Sequence, residues 1–525
     1  MAEYPNGQQQ PQRLSDLLRG SLQPPAPAAP PAPTGPPGPM PPSAQLPAQA
    51  PPAPPAAAVP QHTHVEGLPG ALPVSRADIT MLRDRVADTI STADDDDPMP
   101  TEDARRERAR HLVAKQVSQW AVKENPARTP MTPAQVDAVI QAVYDLVFSA
   151  GPLQRYLDDP DVENIRISGM TTLVAYRNRP TEQVDPVVDD PADLQAFINQ
   201  LAKNSGHRER RLSQSSPMAS FRLPDGSRAE AGLLAHEPYL VIRRHGTKSA
   251  DMNQMIQWGT VNESMAAFLY SLVLSGKNLL ICGNMGAGKT SLLRVLARLI
   301  PPDEWITVLE SDKELYLEEG YQHGATPHAL ALEARYSNGE IDSSGEEVGR
   351  IGVSDMFAHS LRTAAGRVIV GEVRGDEADA MLEAMSAGGR GTMCTLHADH
   401  PDLVVPRLVT LCRNRTRDSV HELVSTGVHF VVFVRKIDQR RIGGRVHRFV
   451  SHITELRPGE NGAPSTQHVF APTEHDPRGV FNMRPSEGCR TDLVNAGFDL
   501  DWLTPQRAAW RRPLDLVPTE IRRAS

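Results

Sequence analysis

Residues 283–290 read Gly-Asn-Met-Gly-Ala-Gly-Lys-Thr. This stretch matches the pattern Gly-x4-Gly-Lys-Ser/Thr, whose glycines let successive backbone N–H groups point inward around a phosphate. An apolar run, Asn278–Cys282, precedes the motif, and a helical pattern, Ser291–Ile300, follows it. A strand, a glycine-rich loop and a helix in that order are the context that confirms a phosphate-binding loop. The sequence therefore predicts a P-loop that binds a nucleotide.

Two side chains of this loop have predicted chemical roles. Lys289 is expected to reach the β- and γ-phosphates of the nucleotide, and the Thr290 hydroxyl is expected to ligate Mg²⁺. The N–H groups at the start of the following helix belong to the same anion site. The predicted nucleotide contacts are Gly283, Asn284, Met285, Gly286, Ala287, Gly288, Lys289, Thr290 and Ser291.

Strands and helices alternate after the loop. The run Ala378–Ala387 has a helical pattern, and the runs around it are strand-like. Alternation of this kind predicts an α/β domain with a parallel sheet and helices packed on its faces. The predicted strands are Ile306–Leu309, Val368–Val370 and Met393–Leu396, followed by an antiparallel pair, Val428–Val434 and Val446–Thr454, around Gly443-Gly444.

Acidic residues follow two of these strands, where a P-loop enzyme needs them. Glu310, Asp312 and Glu314 come after the first strand, and Glu372 comes after the second. One such acid belongs to the metal shell and another orients the attacking water. These positions strengthen the prediction of a nucleotide-hydrolysing site.

His397 follows the third strand and is predicted to sense the γ-phosphate. A solitary histidine is more often a structural hydrogen-bonding residue, but this one comes at a strand end beside a P-loop. No second His or Cys stands at ligand spacing, so the sequence does not predict a zinc site.

Composition divides the chain into five segments. Of the 47 prolines, 21 fall within residues 1–80, and a Pro/Ala-rich stretch offers too little apolar surface for a core. Thr132-Pro133 is typical of a helix start. We predict a disordered tail over 1–75, a helical lead-in over 76–131, a small α/β domain over 132–250, the nucleotide-binding domain over 251–457 and a polar, irregular extension over 458–525.

Charge and cysteine content exclude other classes. The chain of 525 residues has 55 Lys and Arg against 64 Asp and Glu, a net charge of −9, which disfavours a protein that coats nucleic acid. Its four cysteines include no Cys-x-x-Cys pair, so neither a disulfide scaffold nor a Cys-rich zinc site is expected. No apolar run approaches the ~18 residues of a membrane helix. We expect a cytoplasmic chain with at most peripheral membrane contact.

Taken together, these motifs resemble the four signature boxes of the type II/type IV secretion ATPases. The boxes are Gly283–Thr290, the acidic stretch Glu310–Glu314, Gly-Glu-Val-Arg-Gly at 371–375, and Thr-Leu-His-Ala at 395–398. Flanking stretches agree, among them Arg-Leu-Pro-Asp-Gly-Ser-Arg at 222–228. The resemblance covers about residues 132–455 and is strongest to the tight-adherence (Flp) pilus branch, which is related to the conjugation ATPases.

The resemblance implies a fold, ligands and residue roles. It implies a RecA-like ATPase domain behind a smaller N-terminal α/β domain, a homo-hexameric ring, and ATP with Mg²⁺ bound between the two domains. By matching position, Glu314 would be the catalytic glutamate, Glu372 the Walker B acid near Mg²⁺, and His397 the His-box residue. Arg243 and Arg244 match phosphate-contacting arginines of the N-terminal domain. The implied activity is ATP hydrolysis that powers pilus assembly or protein secretion through an inner-membrane platform.

Two features depart from the family pattern, and two other functions stay open. The acidic box has Glu310-Ser311-Asp312 where the family usually has Glu-Asp, and residues 317–349 resemble an enlarged insertion. One alternative function is a P-loop motor acting on nucleic acid, which the net negative charge does not favour. The other is a nucleotide-dependent scaffold that does not hydrolyse ATP. DNA-stimulated hydrolysis would indicate the first, and an absence of turnover would indicate the second.

Overall fold

The structure, a computed structural model, describes residues 74–96, 102–124, 130–177, 179–205, 212–244, 250–318, 327–335, 348–363 and 366–517. The predicted disordered tail, except for its last two residues, lies outside these ranges. The described chain forms two compact units, one ending at Arg244 and the other following it, with Tyr176–Pro180 grouped with the second unit.

Three helices form the beginning of the first unit. They are α1 (Arg76–Asp96), α2 (Glu102–Lys123) and α3 (Pro133–Phe148). As predicted, Thr132 caps α3: its hydroxyl accepts from the Gln135 N–H, and the Gln135 side chain accepts from the Thr132 N–H at 2.9 Å. The apolar faces of all three helices share one core, which includes Leu82, Val86, Val113, Val117, Trp120, Val139 and Val143. The predicted boundary at 131/132 is therefore not a boundary between domains, because α1 and α2 need α3 to bury their apolar faces.

A six-stranded sheet makes up the rest of the first unit. A short helix, α4 (Gln154–Asp158), precedes the first strand, and α5 (Pro191–Asn204) lies between the third and fourth strands in the sequence. The strands lie in the order β3-β2-β1-β6-β5-β4. They are β1 (Val162–Ser168), β2 (Thr171–Tyr176), β3 (Glu182–Val184), β4 (Met218–Arg222), β5 (Arg228–Gly232) and β6 (Tyr239–Arg243). This arrangement confirms the predicted small α/β domain.

The second unit alternates strands and helices over most of its length. Its elements are α6 (Met252–Gln257), α7 (Glu263–Leu274), β7 (Leu279–Gly283), α8 (Lys289–Ala297), β8 (Trp305–Glu310), β9 (His328–Glu333), α9 (Val353–Ser360), β10 (Arg367–Val373), α10 (Glu377–Ser386), β11 (Met393–His397), α11 (Val404–Leu411), α12 (Arg417–Gly427), β12 (Phe430–Asp438), β13 (Val446–Pro458), β14 (Pro464–Ala471), β15 (Val480–Phe481) and α13 (Glu487–Asn495).

The strands of this unit form one nine-stranded sheet in the order β15-β14-β13-β12-β7-β11-β10-β8-β9. The pairings from β12 through β9 are parallel, and those from β12 through β15 are antiparallel. The predicted parallel sheet and antiparallel pair are both confirmed. The segment 317–349 is not wholly an insertion, because its residues 328–333 form the edge strand β9 beside β8.

Apolar side chains cover both faces of the sheet, which explains why its central strands are unbroken apolar runs. Along β7, Leu279 and Ile281 belong to one hydrophobic core, and Leu280 and Cys282 belong to the other. Helices α7 and α8 pack in the first core, and α9 to α12 pack in the second. A parallel sheet buried on both faces has no polar alternation.

The prediction of an irregular C-terminal extension is wrong for most of its length. Strands β14 and β15 continue the main sheet, and Phe470, Leu493 and Phe498 are buried in the core beside α7. The Phe268 ring of α7 lies 5.7 Å from the Phe470 ring and 5.9 Å from the Phe498 ring, centroid to centroid. The stretch was misread because its apolar residues are widely spaced between polar ones, so that no periodic run marks them.

Helix length and cysteine pairing complete the description of the fold. No single helix among the described residues is long and apolar enough to cross a membrane, and one bent pair, Pro133–Phe148 with Gly151–Asp158, meets the criterion only jointly. All four cysteines are buried and unbridged.

The buried extension makes a testable prediction. Phe470→Ala should lower the free energy of unfolding by about 3–5 kcal/mol, because it removes a ring from a packed core. Met483→Ala is the matched control, since Met483 lies in the same stretch and is 53% exposed; its effect should stay within about 0.5 kcal/mol. Urea denaturation followed by tryptophan fluorescence measures both. Equal effects of the two changes would show that the extension is not part of the core.

Candidate nucleotide-binding site

Gly283, the first residue of the loop, ends β7 at the centre of the sheet. It pairs with His397 of β11 on one side and with Val434 of β12 on the other. Its φ is 143°, and a Cβ added there would lie 2.1 Å from the Val434 carbonyl oxygen. Only glycine fits this conformation and this approach of two backbones. The sheet thus fixes where the loop begins.

The rest of the loop turns sharply into α8. Gly286 and Gly288 have φ values of 70° and 97°, and Gly288 is the N-cap residue of α8. The Lys289 side chain is buried and folds back along the loop, where its Nζ donates to the Gly283 carbonyl at 2.9 Å and to the Asn284 carbonyl at 3.1 Å. A helix N-terminus and a lysine ammonium group therefore meet at the loop, which is the arrangement that binds phosphate.

The predicted acids meet beside the P-loop. One cleft is lined by Thr290, Glu310, Ser311, Asp312, Glu314, Gly371, Glu372 and Arg374. The parallel pairing of β8 with β10 brings their carboxyl ends to the same edge of the sheet, next to the start of α8. The arrangement places hydroxyl and carboxylate oxygens in one cleft.

Glu310 supports the loop that carries the other two acids of the stretch. Its carboxylate accepts from the N–H groups of Glu314 and Leu315 at 2.9 and 3.0 Å. It is only 3% exposed, and burial raises its pKa to about 7, with the neighbouring carboxylates of Glu314 and Glu318 adding to the rise. A Cβ on Gly371 would lie 3.0 Å from the Glu310 Cγ, so the end of β10 packs on this side chain. Glu310 thus closes a turn that carries Asp312 and Glu314.

A buried arginine that sequence reasoning missed links this turn to the P-loop helix. Arg294 of α8 is 3% exposed, and its guanidinium donates to the Glu314 carbonyl. Tyr316, two residues further on, is the non-glycine residue with a positive φ, 49°, among the described residues. The sequence carries one signal for Arg294, a cation within the otherwise apolar run of α8. The contact ties the position of Glu314 to that of Lys289, five residues before Arg294.

Glu372 forms an ion pair with Arg374, a residue of the same Gly-Glu-Val-Arg-Gly motif. Its carboxylate accepts from the Arg374 guanidinium, and this hydrogen bond raises the Arg374 pKa. Glu377 holds the backbone of the same turn, since its Oε1 accepts from the N–H groups of Arg374 and Gly375 at 2.5 and 2.9 Å. Arg374 lines the cleft but was not among the predicted site residues, although it stands in the Gly-Glu-Val-Arg-Gly box. The cleft therefore contains a cation as well as acids.

His397 lies next to the loop in the sheet and does not line the cleft of acids. It is the last residue of β11, paired with Gly283, and its Nε2 is 3.7 Å from the Asp399 carboxylate. Two residues earlier, the Thr395 hydroxyl donates to the Gly371 carbonyl at 2.6 Å, which joins β11 to the end of β10. The prediction that His397 senses the γ-phosphate stays a prediction.

Arg243 and Arg244 have different environments in the first unit. Arg243 ends β6 and is exposed. The Arg244 guanidinium donates to the carbonyls of Asp159 and Val162, the second at 3.2 Å, and its N–H donates to the Glu163 carbonyl at 3.0 Å. Arg244 is thus used within its own unit, whereas Arg243 presents its side chain to solvent.

The fold and the site together define a P-loop ATPase: a central parallel strand, a glycine loop, a helix with Lys289 and Thr290 at its start, and acids on two neighbouring strands. A family model described as "Type II/IV secretion system protein" matches residues 183–468, and the chain belongs to that family. It is a secretion ATPase with an N-terminal domain and a C-terminal ATPase domain, as the sequence motifs indicated.

Relatives of known sequence and structure span several organisms. The chain is 30% identical over 282 residues to "Putative conjugal transfer protein MT3759" of Mycobacterium tuberculosis (strain CDC 1551 / Oshkosh), a match that covers 52% of the chain and 74% of that protein. It is 25% identical over 361 residues to "Uncharacterized protein MJ0900" of Methanocaldococcus jannaschii, covering 67% of the chain but only 61% of that protein. The crystal structure of the VirB11 ATPase from the Brucella suis type IV secretion system matches at 19% identity and a TM-score of 0.30, over 61% of the chain and 96% of VirB11.

The buried Glu310 carboxyl predicts a pH dependence of stability. Its folded pKa, about 7, exceeds its ordinary value of 4.5, so the folded protein keeps a proton that the unfolded chain releases between these pH values. Stability therefore falls as the pH rises from about 4.5 through 7. Glu310→Gln keeps an acceptor oxygen and removes the titration, so its melting temperature should fall less than that of the wild type over this range. Parallel curves of melting temperature against pH would show that Glu310 is already ionised when folded.

Proposed function

We propose that the chain is a hexameric motor of the tight-adherence (Flp) pilus branch, which couples ATP hydrolysis to pilus assembly or protein secretion. It would act at the cytoplasmic face of the inner membrane, against the platform proteins of that system. One observation carries the hydrolytic part: Thr290 of the P-loop and acids from two strands line the same cleft. The relative named as a putative conjugal transfer protein supports a transport system rather than a metabolic enzyme.

The cleft fits a magnesium ion bound together with the nucleotide. The Thr290 hydroxyl and the Glu372 carboxylate are oxygen donors, which Mg²⁺ prefers, and Mg²⁺ at such sites takes only one or two protein ligands. Within the described ranges no three His, Cys, Asp or Glu side chains form a metal cage of their own, which is consistent with an ion that shares its ligands with phosphates. When bound, the ion would neutralise charge on the phosphate oxygens.

The remaining side chains have proposed roles around the phosphates. Lys289 would move from the loop carbonyls to the β- and γ-phosphates, which offer a charged partner in place of a neutral one. Glu314, held at its backbone by Glu310 and Arg294, would orient the attacking water. His397 would contact the γ-phosphate from β11. Arg243 or Arg244 would add to the stabilisation of charge on the phosphates.

A pair of variants tests this assignment. Glu314→Gln should still bind ATP but lose turnover by about 10²–10⁴-fold, because an amide cannot accept the proton of water. Lys289→Ala should lose hydrolysis and bind ATP more weakly, with the same melting temperature in the absence of nucleotide. ATPase rate, nucleotide affinity and thermal melting measure these effects. Full activity of Lys289→Ala would contradict the assignment of this site to ATP hydrolysis. Full activity of Glu314→Gln alone would show that another residue of the cleft orients the water.

The two arginines should behave differently when changed singly. Arg243→Ala should lower turnover by about 100-fold or more while nucleotide still binds, since an arginine supplied to the γ-phosphate contributes about 10³–10⁵ in rate in studied enzymes. Arg244→Ala should instead destabilise the first unit by about 1–3 kcal/mol, because it leaves backbone carbonyls without their donor. Hydrolysis, urea unfolding and light scattering separate these effects. Normal turnover of Arg243→Ala in an intact ring would show that Arg243 is a surface residue without a part in hydrolysis.

The same assays decide between the motor and its alternatives. Turnover by the purified chain argues against a scaffold that only binds nucleotide. Stimulation of that turnover by DNA, and not by lipid vesicles or platform proteins, would favour a motor that acts on nucleic acid.

A further inference from the structure

The hairpin formed by β12 and β13 contacts the P-loop at three of its glycines. The Val434 carbonyl of β12 lies against Gly283, as described above. The Arg448 Nε of β13 donates to the Gly286 carbonyl at 2.9 Å. The Lys436 Nζ of β12 is 3.7 Å from the point that a Cβ on Gly286 would occupy. Neither cation belongs to the P-loop, its helix or the acidic strands.

The two cations lie on the same side of the hairpin by register. Lys436 and Arg448 are direct partners in the antiparallel ladder, so their side chains project from the same face. Arg448 also runs past Gly288, where an added Cβ would lie 3.8 Å from the Arg448 Cδ. Glycines at 286 and 288 thus leave room for the Arg448 side chain along the loop. Lys436 is oriented further by Asp438, whose carboxylate is 3.8 Å from the Lys436 Nζ.

The hydrogen bond from Arg448 has a consequence for the donors of the loop. A peptide group has its carbonyl and its N–H on opposite sides, so the Gly286 carbonyl held by the guanidinium leaves the Ala287 N–H directed away from Arg448, where it donates to the Asn284 carbonyl at 3.2 Å and closes the turn of the loop. A charged donor binds a carbonyl more strongly than a neutral donor does. Two positive charges beside an anion site also favour the bound phosphate over its release into water.

We propose that Arg448, together with Lys436, is a positioning residue of the nucleotide site: the hairpin holds the P-loop in the conformation whose N–H groups receive the phosphates. The inference rests on the proposed function, because it presupposes that the loop binds ATP. It adds the β12–β13 hairpin to the elements that determine nucleotide affinity. The loop cradles phosphates that ADP and ATP share, so Arg448 should affect both nucleotides equally.

The experiment compares Arg448→Ala, Arg448→Lys and Arg435→Ala in the full chain. Arg435 is the matched control, because it is an exposed arginine on β12 that pairs with Phe449 and projects from the opposite face. Isothermal titration with ADP and with Mg·ATP gives the affinities, steady-state hydrolysis gives KM and kcat, and thermal melting without nucleotide reports the fold.

Arg448→Ala should weaken ADP and ATP binding by the same factor, about tenfold for one charged hydrogen bond, and raise KM with little change in kcat. Arg448→Lys should recover part of the affinity, and Arg435→Ala should match the wild type. A purely structural role would lower the melting temperature without this split between KM and kcat.

Three results would overturn the proposal. Wild-type affinity of Arg448→Ala, in a preparation whose wild type binds nucleotide and whose Lys289→Ala variant binds it weakly, would remove the inference and leave the proposed function standing. Loss of ATP affinity alone would show that Arg448 acts on the γ-phosphate and not on the loop. Failure of the wild type to bind either nucleotide would remove the proposed function and the inference together.

Discussion

The close approach of the Val434 carbonyl to Gly283 is the constraint on which the site depends. Two parallel strands lie so near each other at this point that no side chain fits between them, and the chain must leave β7 in a conformation open to glycine alone. The direction of that exit determines where Lys289 and Thr290 stand. Because β11 flanks Gly283 on its other side, the loop is held from both neighbours at the middle of a buried sheet.

From that point the site is organised by backbone contacts more than by pairs of side chains. Glu310 accepts two N–H groups of its own turn, Arg294 donates to a carbonyl of the same turn, and Glu377 holds two N–H groups in the turn after β10. Each of these side chains fixes the loop on which a neighbouring acid stands. Hydrogen bonds to backbone groups offset part of the cost of burying such side chains. The turns that carry Glu314 and Glu372 are therefore positioned by hydrogen bonds between neighbouring side chains and the backbone.

Sequence patterns predicted the site better than its surroundings. Gly283–Thr290 and the acids after β8 and β10 were identifiable because strand ends and glycine motifs are local features, and parallel pairing brings them together. Arg294 and Arg448 were missed, since each matters through a contact with a backbone carbonyl that lies elsewhere in the sequence. Arg374 was missed although its partner, Glu372, stands two residues away in the same motif. The C-terminal stretch was misjudged for a related reason: Phe470 and Phe498 find their partner in Phe268, some two hundred positions earlier in the chain, and no local periodicity records such a contact. Arg244 shows the converse case, in which a motif match falls on a residue already engaged by its own domain.

The strand order also determines when the site can exist during synthesis of the protein. β7 emerges from the ribosome early in its domain, but its two neighbours in the sheet, β11 and β12, are among the later strands. Until both have been translated, the P-loop is complete in sequence, but β7 lacks the two strands that flank it in the sheet. Pairings between distant segments form slowly, because loop closure costs entropy before any contact repays it. The first unit, whose residues come earlier, can fold while the ATPase domain is still incomplete. The order of translation therefore lets the first unit of a nascent chain fold before β11 and β12 can flank the P-loop strand.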